Sequence, residues 1–285
     1  MITLPDDFIP EDYQATVYHY CSLSTFMKIV EGKSLWLTSI DKMNDYAEGN
    51  WLTHIVSELC SEKLAAKVGE RDLFNNLIKK IPEYIESRLP YMSCFSEQED
   101  LLSQWRGYAE GGRGVAIGFK TRALKQRMQP FFGEELPTNP GYCNGLAKVH
   151  YPDKDKLRNW LSPVLDRLAV PQNCVDVGKG LSNYALLFKN PAFKEEGEWR
   201  IVATPQRKFV CGWSIKDPNL SGALKFRHTE KGLSSYFQLP IQSTDITKVV
   251  LGPLNQSESI DVRAFLCARL GGRIRVSRST ATYSG

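Results

Sequence analysis

The chain has no Cys-x-x-Cys pair, and its seven cysteines are odd in number and scattered over 285 residues. That excludes a zinc ribbon or dithiol redox centre and argues against a disulfide framework. His54 and Glu58 lie one helical turn apart, a pairing that is ordinarily structural, and the four histidines have no metal-ligand spacing with the cysteines, so no metal is expected. No segment approaches the ~18 apolar residues of a membrane helix, and the opening Met-Ile-Thr-Leu-Pro-Asp-Asp lacks a basic, apolar leader; a cytosolic protein with no membrane partner is expected. A dominant charge sign is missing as well. Basic residues number 36 and acidic residues 32, and the resulting +4 is too small to announce a nucleic-acid binder by itself. Basic residues do concentrate locally, in Lys120 to Arg127 and in Arg263 to Arg278. There is no internal repeat or low-complexity tract. The absence of Gly-x-Gly-x-x-Gly, of the full Walker-type Gly-x-x-x-x-Gly-Lys-Ser/Thr phosphate loop and of Gly-x-Ser-x-Gly removes the dinucleotide-fold, P-loop and hydrolase-elbow readings.

What is there centres on Tyr91 to Phe119. Tyr91, Ser93 and Phe95 alternate with Met92, Cys94 and Ser96, and Gly114 to Phe119 is short and β-branched, so both ends read as strands. Between them a helix is expected, capped by Ser96, with Glu97, Glu99 and Asp100 in its first turn and Gly111-Gly112 at its end. On that helix Trp105 and Tyr108 share a face. Gly111-Gly112-Arg113-Gly114 leads into a strand and reads as a turn rather than a phosphate cradle, although Arg106 and Arg113 have the bidentate geometry for a diphosphate.

Along the rest of the chain, residues 1–15 form an N-terminal arm. Val17 to Cys21 is a strand, Thr25 to Glu31 a helix capped by Ser24, and Leu35 to Thr38 a second strand. Met43 to Glu48 is a polar turn before helical stretches over about 49–68 and 69–89. Residues 120–190 carry few strand signals and read as a helical insertion, with helices over Thr121 to Met128 and Lys154 to Leu168 around a loop from Gly133 to Gly145. Strands follow at Glu198 to Ala203, Phe209 to Trp213, Lys225 to Arg227, Tyr236 to Pro240 and Ile246 to Leu251. A C-terminal helix over Ile260 to Leu270 and a basic strand over Arg273 to Val276 pack on the same domain, in residues 256–285. One α+β domain over about 16–255, with the insertion at about 120–190, is expected.

The candidate chemistry is dispersed along the chain. His19 ends an early strand, Phe95, Trp105 and Tyr108 supply aromatic faces, and Glu198 opens a later strand with Arg200 on the same face. Tyr18-His19-Tyr20-Cys21-Ser22, Leu35-Trp36-Leu37, Met43-Asn44-Asp45 with Glu48, Cys94-Phe95-Ser96, Gln104-Trp105-Arg106-x-Tyr108, Gly114 to Phe119, Glu198-Trp199-Arg200 and Leu251-Gly252-Pro253, in this order, resemble the bacterial domain-of-unknown-function family numbered 2971, over roughly residues 16–255. A looser resemblance is to the histidine-tyrosine-glutamate ADP-ribosyltransferases, carried by a His on the first strand, a central aromatic and the Glu198-Trp199-Arg200-Ile201-Val202 run. It implies an α+β fold with a split mixed or antiparallel sheet, flanking helices and NAD as the substrate. It also implies His19, with neighbouring Tyr20 and Ser22, on a ribose, and Phe95, Trp105 or Tyr108 on nicotinamide, which spacing does not distinguish. Arg106 and Arg200 would face the diphosphate, with Glu198 as the catalytic carboxylate. Such an enzyme transfers ADP-ribose to a macromolecular acceptor, RNA, DNA or protein, in the setting of a toxin with its antitoxin or of an anti-phage defence system.

Plainer roles stand beside these. His19 also reads as a core histidine, Trp105 and Tyr108 as core filling, and Glu196, Glu198 and Arg200 as an ion-pair cluster. Two other function classes are a non-catalytic module holding nucleic acid through Arg263 to Arg278, and a metal-dependent nuclease using Asp45, Glu48 and Glu198.

Overall fold

The computed structural model describes residues 15–42, 51–66, 71–88, 90–132, 145–166, 173–204, 207–209, 213–215, 224–229 and 232–283. The arm at 1–14, the Met43 to Glu48 turn and most of the loop from Gly133 to Gly145 lie outside the described residues, as do Cys143 and Cys211. In chain order the elements are β1 (Thr16–Cys21), α1 (Leu23–Glu31), β2 (Ser34–Ser39), α2 (Trp51–Ala65), α3 (Arg71–Arg88), β3 (Tyr91–Ser96), α4 (Leu102–Tyr108), β4 (Val115–Lys120) and α5 (Thr121–Phe132). They continue as β5 (Gly145–Lys148), α6 (Lys154–Asp166), α7 (Asn173–Ala185), β6 (Glu198–Ala203), β7 (Arg207–Phe209), β8 (Trp213–Ile215), β9 (Lys225–Thr229), β10 (Gly232–Pro240), β11 (Ile246–Leu251), α8 (Ser259–Leu270) and β12 (Arg275–Arg278).

The fold is α+β, built on a mixed, mostly antiparallel ten-stranded sheet in the order β12-β11-β4-β1-β3-β2-β10-β9, with β6 paired to β3 and β5 to β6. Among the described residues only β11 and β12 pair in parallel within it. Strand alternation sorts side chains between two layers. On one face Phe26 and Ile29 of α1, Leu35 and Leu37 of β2, Trp199 and Ile201 of β6, and Leu266 of α8 form the main core. On the other face α2, α3, α6 and α7 bury Leu52, Ile55, Leu77, Leu161 and Leu181 against Met92 and Val202. Covered on both faces, β6 is buried at all six positions, Glu198 and Arg200 included.

The sheet is forked. One edge of β3 pairs with β6 along its whole length, from Tyr91↔Ala203 to Ser96↔Glu198. Its other edge is shared: Tyr91 and Met92 pair with β2, while Ser96 pairs with Tyr18 of β1. Between these contacts Ser93, Cys94 and Phe95 face a gap where β1 and β2 diverge.

Several expectations are corrected. The cap of α1 is Ser22, whose hydroxyl accepts from the Thr25 N–H at 3.0 Å, rather than Ser24. Ser96 does not start a helix; its hydroxyl donates to the Glu196 carbonyl and accepts from the Gln98 N–H, and α4 begins at Leu102 without a side-chain cap bond. The insertion is less separate than expected, because its strand β5 joins the sheet through β6 and its helices α6 and α7 share a core with α2 and α3. Of the strand expected over Phe209 to Trp213, the described ends belong to two strands, β7 and β8, that pair antiparallel with each other; residues 210–212 lie outside the described residues. Gly111 and Gly112 have φ of 59° and 87° and form a turn. The N–H groups of Gly112, Arg113 and Gly114 donate to backbone carbonyls of residues 105–110, so none is presented to a phosphate.

Candidate active site

A cavity of about 250 Å³ opens at the fork. His19 and Tyr20 reach it from β1, Ser93, Cys94 and Phe95 from β3, Gln104 and Tyr108 from α4, and Glu198 from the start of β6. Trp36 and Thr38 of β2 and Arg227 of β9 complete the wall opposite. Residues far apart in sequence therefore meet because β3 carries β1 and β6 on its two edges.

His19 is held by the defect in the sheet. With no strand opposite Cys94 on this edge, the Cys94 carbonyl accepts from the imidazole, Nδ1 to O 2.9 Å. A carbonyl only accepts, so Nδ1 carries the proton and Nε2 is left as an acceptor. Burial lowers the His19 pKa below the ordinary imidazole value; the Cys94 carbonyl acts the other way, and the Arg227 charge lowers it again. The ring is neutral at pH 7. Phe95 lies beside it, ring centroids 5.7 Å apart.

Glu198 belongs to a buried cluster of four charges. Arg200 forms a fork on it, Nε to Oε1 2.7 Å and Nη2 to Oε2 2.8 Å, and donates its third edge to the Leu186 carbonyl at 2.7 Å. Lys189, fully buried, lies 2.6 Å from Glu196 and 3.5 Å from Glu198. Burial acts to raise the Glu198 pKa, but the Arg200 charge and hydrogen bonds, Lys189 and the Cys94 thiol outweigh it, and the carboxyl is held below the ordinary glutamate range. Glu198 is thus a fixed anion, with one lone pair on each oxygen still directed away from Arg200.

Arg227 lies over two neighbouring aromatic rings. Its guanidinium carbon lies 4.7 Å from the Trp36 ring centroid and 5.7 Å from that of Tyr236, and Nη2 donates to Thr38 Oγ1 at 2.9 Å. Nε has no hydrogen-bond partner among the described residues, nor have Trp36 Nε1 on the same wall and Ser93 Oγ on β3.

Four residues expected at a ligand lie elsewhere. Trp105 is fully buried, its indole N–H donating to Asp100 at 2.7 Å and its ring edge-on to Tyr20 at 4.7 Å, so it packs behind the wall rather than on it. Ser22 is occupied as the α1 cap. Arg106 points from the far side of α4 to the Tyr283 ring, 5.0 Å away, beside a separate shallow hollow lined also by Glu195. Arg200 is buried and engaged by Glu198, so it positions that carboxylate and faces no diphosphate. Asp45 and Glu48 lie outside the described residues, and among those described no group of three or more His, Cys, Asp or Glu is arranged for a metal.

Sequence reasoning gave no role to Arg227 or to Trp36, although both stand in stretches that resemble the family pattern, and it did not single out Lys189. Lys189 had a signal: one charge closing the apolar run Leu186-Leu187-Phe188, with three glutamates a few residues on, is the pattern of a buried pair. Arg227, alternating with exposed Phe226 and His228 on an edge strand, had no local signal for a role.

Residues 104–201 match the model of a family described as a protein of unknown function (DUF2971). That match starts in α4 at Gln104 and ends in β6, so it takes in Tyr108 and Glu198 but not β1, and it is shorter than the 16–255 span expected from the motifs. No curated protein and no solved structure matches the chain, and the comparisons lend no support to the ADP-ribosyltransferase resemblance. Among the described residues no helix is long and apolar enough to cross a membrane.

Proposed function

We propose that the cavity at the fork is an NAD site and that the protein is an ADP-ribosyltransferase-like enzyme, its split sheet serving as the ligand cleft. The observation that carries the reading is the convergence of His19, Phe95, Tyr108 and Glu198, from four separate elements, on one cavity. At about 250 Å³ the space lies just below the range of ~300–1,000 Å³ usual for ligand pockets, and so suits the nicotinamide-ribose half of the molecule. In this reading His19 Nε2 accepts from a ribose hydroxyl and Phe95 and Tyr108 flank the nicotinamide ring. Glu198 accepts from the nicotinamide-ribose hydroxyl. When the glycosidic bond breaks, nicotinamide leaves with the bonding electrons, positive charge develops on the ribose, and a carboxylate already fixed by Arg200 stabilises it without reorganising. An acceptor nucleophile on RNA, DNA or protein then forms the new bond to the anomeric carbon and loses its proton.

The test is release of nicotinamide and transfer of labelled ADP-ribose to lysate, with NAD-dependent thermal stabilisation measured in parallel, since a ligand specific to the native state must raise the melting temperature. Wild type should show all three, and Tyr108→Ala should lose them while remaining folded. A folded wild type that is not stabilised by NAD and releases no nicotinamide from it would overturn the proposal.

One observation favours a second reading, a nucleic-acid-binding module: Arg263, Arg269, Arg273 and Arg275 are all exposed on α8 and the segment leading into β12. Binding of RNA or DNA that weakens steeply with salt and is lost on replacing these arginines supports it; binding indifferent to salt counts against it.

A further inference from the structure

We propose that Arg227 is the anion-binding residue of the fork cavity, taking a phosphate of the ligand while the aromatic walls take its ring. This rests on the reading of the cavity as an NAD site and adds to it the residue that selects a phosphorylated ligand.

The argument begins with charge. Arg227 is half-buried, and the two fully buried cations at the site, Lys189 and Arg200, each have a carboxylate within 2.7 Å. Arg227 has none among the described residues. Its neighbours are the faces of Trp36 and Tyr236 and the hydroxyl of Thr38. Burial lowers its pKa, only Tyr236 acts the other way, and no acid offsets the cost. A desolvated guanidinium without a counter-ion is expensive to keep, and a bound anion would relieve that cost. The contacts also restrain the guanidinium: it lies over two neighbouring rings, Trp36 and Tyr236, and Thr38 holds one edge, which leaves its remaining N–H groups for a contact with phosphate or carboxylate. Trp36 Nε1 and Ser93 Oγ, which have no hydrogen-bond partner among the described residues, line the same cavity and are an N–H and an O–H, both able to donate. Arg227 and His19 line the same cavity, so a ribose on His19 and a phosphate on Arg227 belong to one ligand in this reading.

Calorimetric titration of the full chain separates this proposal from the one it rests on. The probes are NAD, nicotinamide riboside, which lacks phosphate, and pyrophosphate alone, each against wild type, Arg227→Gln and Thr38→Val. Wild type is expected to bind NAD more tightly than the riboside and to bind pyrophosphate competitively with NAD. Arg227→Gln should lose affinity for NAD on the order of tenfold to a hundredfold, the range of a hydrogen bond to a charged group, lose pyrophosphate binding, and bind the riboside unchanged. Thr38→Val should show a smaller loss confined to the same two phosphate ligands, and it decides the question if Arg227→Gln does not fold. Arg227-dependent pyrophosphate binding with no response to either pyridine ligand sustains the anion site and overturns the NAD reading. Phosphate ligands bound equally by wild type and both variants, an equal loss for riboside and NAD, or no binding of any probe overturns the assignment of Arg227.

Discussion

Replacing Glu198 by Gln tests the buried charge cluster before it tests any chemistry. In the native protein Glu196 and Glu198 balance Lys189 and Arg200, so the cluster is neutral, and all four side chains are buried. The substitution Glu198→Gln removes one negative charge and presents a single carbonyl oxygen where Arg200 now meets two, at 2.7 and 2.8 Å. Arg200, 2% exposed, keeps the Leu186 carbonyl but meets a neutral amide where it had a carboxylate. Stranding one member of a buried pair costs about 3–5 kcal/mol, a large share of the ~5–15 kcal/mol that holds a typical domain folded. Urea unfolding should show stability falling by that amount with the m-value unchanged. The double variant Glu198→Gln with Arg200→Met, which strands no charge, should be more stable than the single one. The acid limb should change as well. Because the Glu198 pKa is depressed, its contribution is complete above the ordinary glutamate value of about 4.3 and is lost as pH falls through the native value, so the variant should lose less stability below about pH 4.3 than wild type. A cost under ~1 kcal/mol, or a double variant no better than the single, would refute the reasoning. Activity assays on Glu198→Gln therefore need a temperature well below its own melting point.

Three further outcomes follow from the geometry. Gly114→Ala places a Cβ 2.1 Å from the Cys21 carbonyl and should prevent or severely weaken folding, whereas Gly107→Ala on α4, with nothing within 4 Å, should raise stability by up to about 1 kcal/mol in thermal melts. Trp105→Phe loses the indole hydrogen bond to Asp100 and should cost about 1–3 kcal/mol in urea while leaving NAD affinity unchanged; a large loss of affinity would show that the ring does reach ligand. His19 has a lowered pKa, so it stabilises the fold above the ordinary imidazole value of about 6.5 and this contribution fades as pH falls below it; ribose binding through Nε2 should be flat from about pH 6.5 to 8 and weaken only in more acid solution, read by titration across that range.

The strands that flank the site were legible because their period-two patterns are strong: β1, β3, β4 and β6 lie within a residue or two of where the alternation puts them. The residues of the dispersed set divide by what else each can bind. Phe95 and Tyr108 keep their places on the cavity wall. Arg200, two positions from Glu198 on the same strand face, closes on that carboxylate and is drawn away from any ligand. Trp105 and Tyr108 do share a helix face, but α4 starts later than Ser96 suggests, which turns Trp105 into the packing of Tyr18, Tyr20 and Val250. Strand β5 was unreadable because its four residues, Gly145 to Lys148, are too few for a period to register. Arg227 was unreadable for a different reason: its meaning comes from Trp36 and Tyr236 on β2 and β10, and pairing across strands leaves no trace in local spacing.

The fork also divides the cavity mechanically. Strands β2, β10 and β9 form a wing that carries Trp36, Thr38 and Arg227, and in the hydrogen-bonded ladder this wing joins β3 through Tyr91 and Met92 alone. His19 and Glu198 belong to the body on the other side of the gap. A ligand touching both sides acts as the missing rung, and its arrival should be registered as slowed amide exchange along β2, at a distance from any residue it contacts.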